Sequence, residues 1–163
     1  MYQIGEYVVY RQLYVCKIEN VETPTFERNA KKLYYKISPV FDNKNNTTVY
    51  VPTDAAECLR KVASKEDVES ALKTLPTLKV VVATFKKPQQ LAAYYQEALL
   101  TGDIKRYLSI IKEIVLKERT NPKKLSEIDS RFKNRAERII YEELAVVLRR
   151  TPETVKKDIE KIL

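Results

Sequence analysis

The chain has 163 residues, a formal net charge of +8 and no histidine. Histidine-based triads, histidine proton shuttles and histidine-ligated metals are therefore excluded. The two glycines, Gly5 and Gly102, cannot build a P-loop or a GxGxxG phosphate cradle, and the two cysteines, Cys16 and Cys58, are too few for a zinc ribbon or a disulfide scaffold. With 44% hydrophobic and 32% charged residues the chain should fold and stay soluble.

The opening MYQIGEYVVY has no basic segment leading into a long apolar core, so no secretory signal is read there. The longest aliphatic cluster, Val80-Val81-Val82-Ala83, is far short of the ~20 residues of a membrane helix. These features predict a cytoplasmic protein with no membrane partner and two buried, reduced thiols.

In chain order, β-structure comes first. Tyr7–Tyr10 is rich in Val and Tyr. Leu13–Val21 alternates, with Leu13, Val15, Lys17, Glu19 and Val21 on one side and Tyr14, Cys16, Ile18 and Asn20 on the other. Lys32–Val40 has the same character, Asp42–Asn46 is turn chemistry, and Thr47–Val51 is a β-branched and aromatic run closed by Pro52. Four short strands so close together predict a small barrel of SH3 or Tudor type.

Helical signals come next. Ser64-Lys65-Glu66-Asp67 approximates a capping box ahead of Val68, Ala71, Leu72 and Leu75, and Leu75-Pro76-Thr77 ends that helix. Leu78–Phe85 reads as a short strand or an extended connector. Pro88 opens a second helix, with Gly102 as its left-handed cap and Asp103 as the N-cap of a third, Ile104–Arg119. Ser126–Arg150 is the longest helical pattern. Thr151-Pro152 starts the last helix, which buries Val155, Ile159 and Ile162. The expected fold class is α+β: a barrel over residues 1–63 and a compact all-helical domain over 64–163, with a connector near 76–87.

The charge is uneven. Residues 1–75 carry 11 basic and 10 acidic side chains, whereas residues 76–163 carry 19 and 12, a net of +7. A basic half attracts polyanions, nucleic acid first. Arg131, Arg135 and Arg138, spaced i, i+4, i+7, project within about 60° of one another on a helix and can fork onto phosphate oxygens. Glu127 and Glu142 lie four residues from the outer two, so a solvated, self-paired face is the competing reading. Phe85-Lys86-Lys87 joins an aromatic to two cations, a combination suited to a nucleic-acid groove and also to an ordinary strand end. Glu143–Leu163 fits a helix-turn-helix less well than a plain helical hairpin. The acidic pairs Glu142-Glu143 and Glu66-Asp67 occupy polar helical positions with no partner base or nucleophile, so no catalytic set, metal site or cofactor is read and the chain is expected not to be an enzyme.

The ordered set of motifs resembles a known family. Ile4-Gly5-Glu6-Tyr7-Val8-Val9-Tyr10 and Val15-Cys16-Lys17-Ile18 look like the start of the CarD/CdnL proteins, bacterial transcription regulators that share this module with the transcription-repair coupling factor. Tyr50-Val51-Pro52-Thr53-Asp54-Ala55-Ala56 resembles the family's last barrel strand and its exit. Leu100-Thr101-Gly102-Asp103 resembles the Gly-Asp between two C-terminal helices, and Glu142–Leu148 the late Glu-Leu-Ala helix. The resemblance implies a Tudor-like domain that docks on the β subunit of RNA polymerase. Its contacts would fall at Val21, Lys36, Val49 and Tyr50. It also implies a helical domain that meets promoter DNA and modulates open-complex formation or stability; the residues read above for such a contact are Phe85, Lys86, Lys87, Arg131, Arg135 and Arg138. The chain departs from the family in three places. It has no Trp where many members carry a wedge, and Pro88 falls there. Val21 and Tyr50 stand where members often have arginines, and Gln12-Leu13-Tyr14 replaces a His-Gly turn. A protein–protein adaptor without DNA engagement and a helix-turn-helix repressor are the alternatives.

Overall fold

The computed structural model describes residues 1–11, 14–42 and 47–163. The start of the second expected strand at Leu13, the Gln12-Leu13 part of the turn and most of the Asp42–Asn46 turn lie outside the described residues. The chain divides into two compact units, Met1–Val62 and Ala63–Leu163.

The first unit is a curled antiparallel half-barrel of five strands: β1 Tyr7–Tyr10, β2 Tyr14–Glu22, β3 Tyr34–Pro39, β4 Val49–Pro52 and β5 Leu59–Lys61, in the order β4-β3-β2-β1-β5. The sequence predicts a small barrel of Tudor type, and this is its architecture, with β4 and β5 left as edges. β5 is absent from the sequence-based expectation, because three residues are too few to show a period. Val8, Cys16, Ile18, Tyr35, Ile37 and Val51 form the core of this unit.

The simple alternation along β2 breaks for a physical reason. Cys16 and Ile18 are buried in the core, but the register against β3 shifts between Ile18 and Asn20. That irregularity adds one residue to β2 and reverses the phase of the strand beyond it. Val21 therefore packs against the core cluster, while Asn20 and Glu22 hydrogen-bond to each other beside it. Of the two thiols expected to be buried, Cys16 is, at 1% exposure. Cys58 is only half-buried, because it lies in the loop entering β5 rather than within a strand.

The second unit is helical: α1 Lys65–Thr74, α2 Pro88–Leu100, α3 Ile104–Thr120, α4 Glu127–Leu148 and α5 Pro152–Ile162, with single 3-10 turns at Leu75–Thr77 and Pro122–Lys124. The starts obey the chemistry of the sequence. Ser64, Asp103, Ser126 and Thr151 each cap the helix behind them through a side-chain oxygen, and Pro88 and Pro152 hold first helical positions. Gly102 takes φ +66° between α2 and α3. Residues 78–87 are an irregular connector. Tyr95, Leu99, Tyr107, Leu108, Ile111, Ala136, Ile139, Ile140, Leu144 and Ile159 are buried.

Two further expectations fail: Ile162, expected to be buried with Val155 and Ile159, is only half-buried at the end of α5, and the second concerns α4. Glu143, expected at a polar helical position, is fully buried, and its Oε1 accepts the Ala63 backbone N–H at 2.8 Å. It faces the start of the unit instead of solvent, where it satisfies a backbone donor ahead of α1.

Candidate functional site

In the β unit, the four residues singled out fall on two faces of the sheet. Val21 and Val49 are partly buried against the core cluster. Lys36 and Tyr50 are cross-strand partners on the opposite face, in the row Asn20, Lys36, Tyr50. β4 is an edge strand. The Thr53 N–H donates to Leu33 O at 3.0 Å, just beyond the Tyr34–Pro52 pair. By the two-residue alternation of an antiparallel ladder, the backbone of Val51 and Val49 turns toward β3 while that of Tyr50 turns away from it. Tyr50 thus presents its N–H and C=O at an edge that no other described strand covers, with Pro52 two residues on as a natural stop.

The outer face beside that edge is aromatic. Phe26, from the β2–β3 connection, packs edge-on against Tyr34 at 5.7 Å and against Tyr50 at 5.5 Å, and stays 63% exposed. Tyr50 Oη donates to Glu22 Oε1 at 3.2 Å, and Tyr34 Oη to Glu27 Oε2 at 2.6 Å. The Tyr34 hydroxyl bond and the Asn29 backbone N–H hold the Glu27 carboxyl below its ordinary value. Sequence reasoning misses Phe26 because it sits in a Pro- and Asn-containing connection with no periodicity.

In the helical unit, Phe85, Lys86 and Lys87 line the mouth of a groove of about 660 Å³ between the connector, α2 and the α3–α4 turn. Val82, Pro88, Leu91 and Ile128 contribute apolar wall, Lys117 a third cation, and no carboxylate is among the described residues that line it. Phe85 stands at one end of a run of rings. It packs on Tyr94 at 5.3 Å, Tyr94 on Tyr95 at 5.5 Å, and Tyr95 on Phe132 at 5.4 Å. Arg131 lies over Phe132 at 5.3 Å and Arg106 over Tyr94 at 5.3 Å. The same aromatic run therefore links Phe85 and Arg131, which lie far apart in sequence.

The arginine stripe is not uniform. Arg131 is exposed. Arg135 is half-buried and donates to Gln96 Oε1 at 3.2 Å, tying α4 to α2. Arg138 is exposed and pairs with Glu142 at 3.5 Å, the self-paired reading of that position. Beneath the groove, buried Asp129 accepts from Tyr95 Oη at 2.6 Å, Lys117 Nζ at 2.8 Å and the Ser126 N–H at 2.8 Å. Burial pushes the Asp129 carboxyl up, but these donors outweigh it and hold it below its usual value. Burial and Asp129 both push the Tyr95 phenol up. Glu113, also buried, fixes the connector by accepting the Ala83 N–H and the Tyr94 hydroxyl, each at 2.8 Å. Among the described residues no group of three or more Cys, Asp or Glu is placed to hold a metal ion, and no helix is long and apolar enough to cross a membrane.

The β unit is thus a half-barrel with an aromatic-flanked edge strand, followed in sequence by a basic helical unit. Residues 2–63, which make up the β unit, match the family model described as the CarD-like/TRCF RID domain. Domains of this type are non-catalytic interaction domains for the RNA polymerase β subunit. No curated protein matches the chain.

Proposed function

We propose that this protein is a non-enzymatic transcription regulator that docks on the β subunit of RNA polymerase through β4 and touches promoter DNA through its helical unit, modulating open-complex formation or stability. The observation that carries the reading is the open edge at Tyr50 in a domain of the RID type. A partner strand added there gains main-chain hydrogen bonds, while side chains flanking the edge supply specificity. The DNA part is supported by the net +7 of residues 76–163 and by the cationic, carboxylate-free rim at Phe85–Lys87. The internal engagement of Arg135 and Arg138 favours the rim over the arginine stripe as the principal phosphate contact, and it is also the observation that keeps the adaptor reading in play.

The test uses the full chain with core polymerase and with duplex DNA. Of the backbone donors, Tyr50→Pro removes only the N–H that faces away from β3, on an edge strand where Pro is tolerated; it also removes the ring on Phe26 and the hydroxyl on Glu22, which Phe26→Leu and Glu22→Gln probe separately. It is expected to abolish polymerase binding while leaving DNA binding intact. Lys86→Glu combined with Lys87→Glu is expected to do the reverse. Polymerase binding that survives Tyr50→Pro overturns the edge docking. DNA binding that is absent from the unmodified chain at low salt leaves the adaptor reading.

A further inference from the structure

The outer face of the β unit holds two neighbouring groups of the same makeup, an aromatic ring beside a carboxylate. In the first, Tyr34 and Glu27 are joined by the 2.6 Å hydrogen bond, and the ammonium of Lys32 lies over the Tyr34 ring at 5.6 Å. A cation from the chain itself thus sits where ring quadrupole and carboxylate both favour it. In the second, Tyr50 and Glu22 are joined by the 3.2 Å hydrogen bond, and Phe26 adds an aromatic surface that is 63% exposed. Among the described residues no cation is placed over the Phe26 or Tyr50 ring. The second group also adjoins the β4 edge, because Tyr50 is the residue whose backbone faces away from the sheet.

We infer that Phe26, Tyr50 and Glu22 form a receiving site for an arginine side chain carried by the docked partner protein. The inference rests on the edge-docking reading above and adds the chemistry of the partner residue. A strand paired along β4 places one of its own side chains beside Tyr50, on the face that Phe26 and Glu22 share. Charge decides its type. An acidic side chain there meets the Glu22 carboxylate, and an aliphatic one leaves that carboxylate with nothing in return. A guanidinium stacks flat on Phe26 while its N–H fork reaches the carboxylate, which the compact ammonium of lysine does less well. Glu22 has the capacity. Its two oxygens accept one hydrogen bond each, from Tyr50 and Asn20, and each keeps a second lone pair.

Two measurements on the full chain test this. The first is an aromatic NMR titration with N-acetyl-arginine amide, compared with the leucine and lysine amides. The Phe26 and Tyr50 ring signals should shift with the arginine amide more than with the other two, and Glu22→Gln or Phe26→Leu should each suppress the difference. Equal shifts with the leucine amide, or none with the arginine amide, overturn the site whether or not polymerase binds. The second is affinity for core polymerase. Phe26→Leu and Glu22→Gln should each weaken it by roughly tenfold. If both variants bind like the unmodified chain while Tyr50→Pro does not bind, the arginine contact falls and edge docking stands. If Tyr50→Pro binds normally, edge docking falls first, and the arginine contact that rests on it falls too.

Discussion

Asp129 concentrates more hydrogen bonds than any other side chain described in the helical unit. Its carboxylate accepts from α2 through Tyr95, from α3 through Lys117, and from its own N-cap through the Ser126 N–H and hydroxyl. It also sits in the first turn of α4, where the helix dipole favours negative charge. Replacing it by Ala strands a buried phenol and a largely buried ammonium, so Asp129→Ala should cost about 3–5 kcal/mol in urea unfolding at neutral pH. Tyr95→Phe removes one charge-assisted bond and should cost about 1.5–3 kcal/mol. The sign of the pH effect comes from the shift. A carboxyl held below its unfolded value contributes stability above that unfolded value, near 3.8, and loses it as the pH falls through the folded value. Stability should therefore drop below about pH 4 in the unmodified chain. The drop should be shallower in Asp129→Asn, which has no proton to take up.

At the scale of elements, the turn between α4 and α5 shows what the sequence makes legible and what it hides. Thr151-Pro152 announces the start of α5, and the helix starts there. The end of α4 carries no such sign. Leu148 is the last helical residue, and Arg149 takes the left-handed conformation at φ +55°, ψ +48°, where glycine is usual. Arg149→Gly relieves that backbone position, and its thermal midpoint should rise by an amount corresponding to about 0.5–1 kcal/mol. A fall would mean that the arginine side chain contributes more than its backbone costs. The same contrast runs through the chain. Capping oxygens and first-position prolines are local chemistry, so the starts of α1 to α5 can be read from the residues. The β2 irregularity, the three-residue β5 and the burial of Glu143 depend on partners distant in sequence: Glu143 meets Ala63, 80 positions away. The candidate sites divide likewise. Phe85-Lys86-Lys87 stands out as a sequence triplet, while the groove beside it and the aromatic run from Phe85 to Phe132 exist only once α2, α3 and α4 are packed.

For the molecule as a whole, the division of charge sets how the two proposed contacts should respond to salt. In the proposed function the β unit meets its partner chiefly through backbone hydrogen bonds at an edge, beside the single charged contact inferred at Glu22. In the proposed function the helical unit meets DNA through exposed cations on a phosphate backbone, where each phosphate neutralised would release condensed counterions. Duplex binding by the full chain should therefore fall steeply with salt, with a slope of log K against log salt of about −0.9 for each phosphate contacted. If Lys86 and Lys87 each hold one phosphate, Lys86→Ala with Lys87→Ala should flatten that slope by about 2, uniformly across unrelated duplex sequences. Arg138→Ala, which removes a group already paired with Glu142, should leave the slope nearly unchanged. Polymerase binding should vary much less over the same salt range, because the added strand is held chiefly by uncharged main-chain bonds. Docking should then persist at salt concentrations where free chain would release DNA. Under those conditions DNA contact depends on the effective concentration that docking creates, so a polymerase–promoter complex should retain the chain where naked promoter DNA does not. Equal salt slopes for polymerase and for duplex DNA would contradict this assignment of tasks to the two units, and measuring both slopes on one preparation decides it.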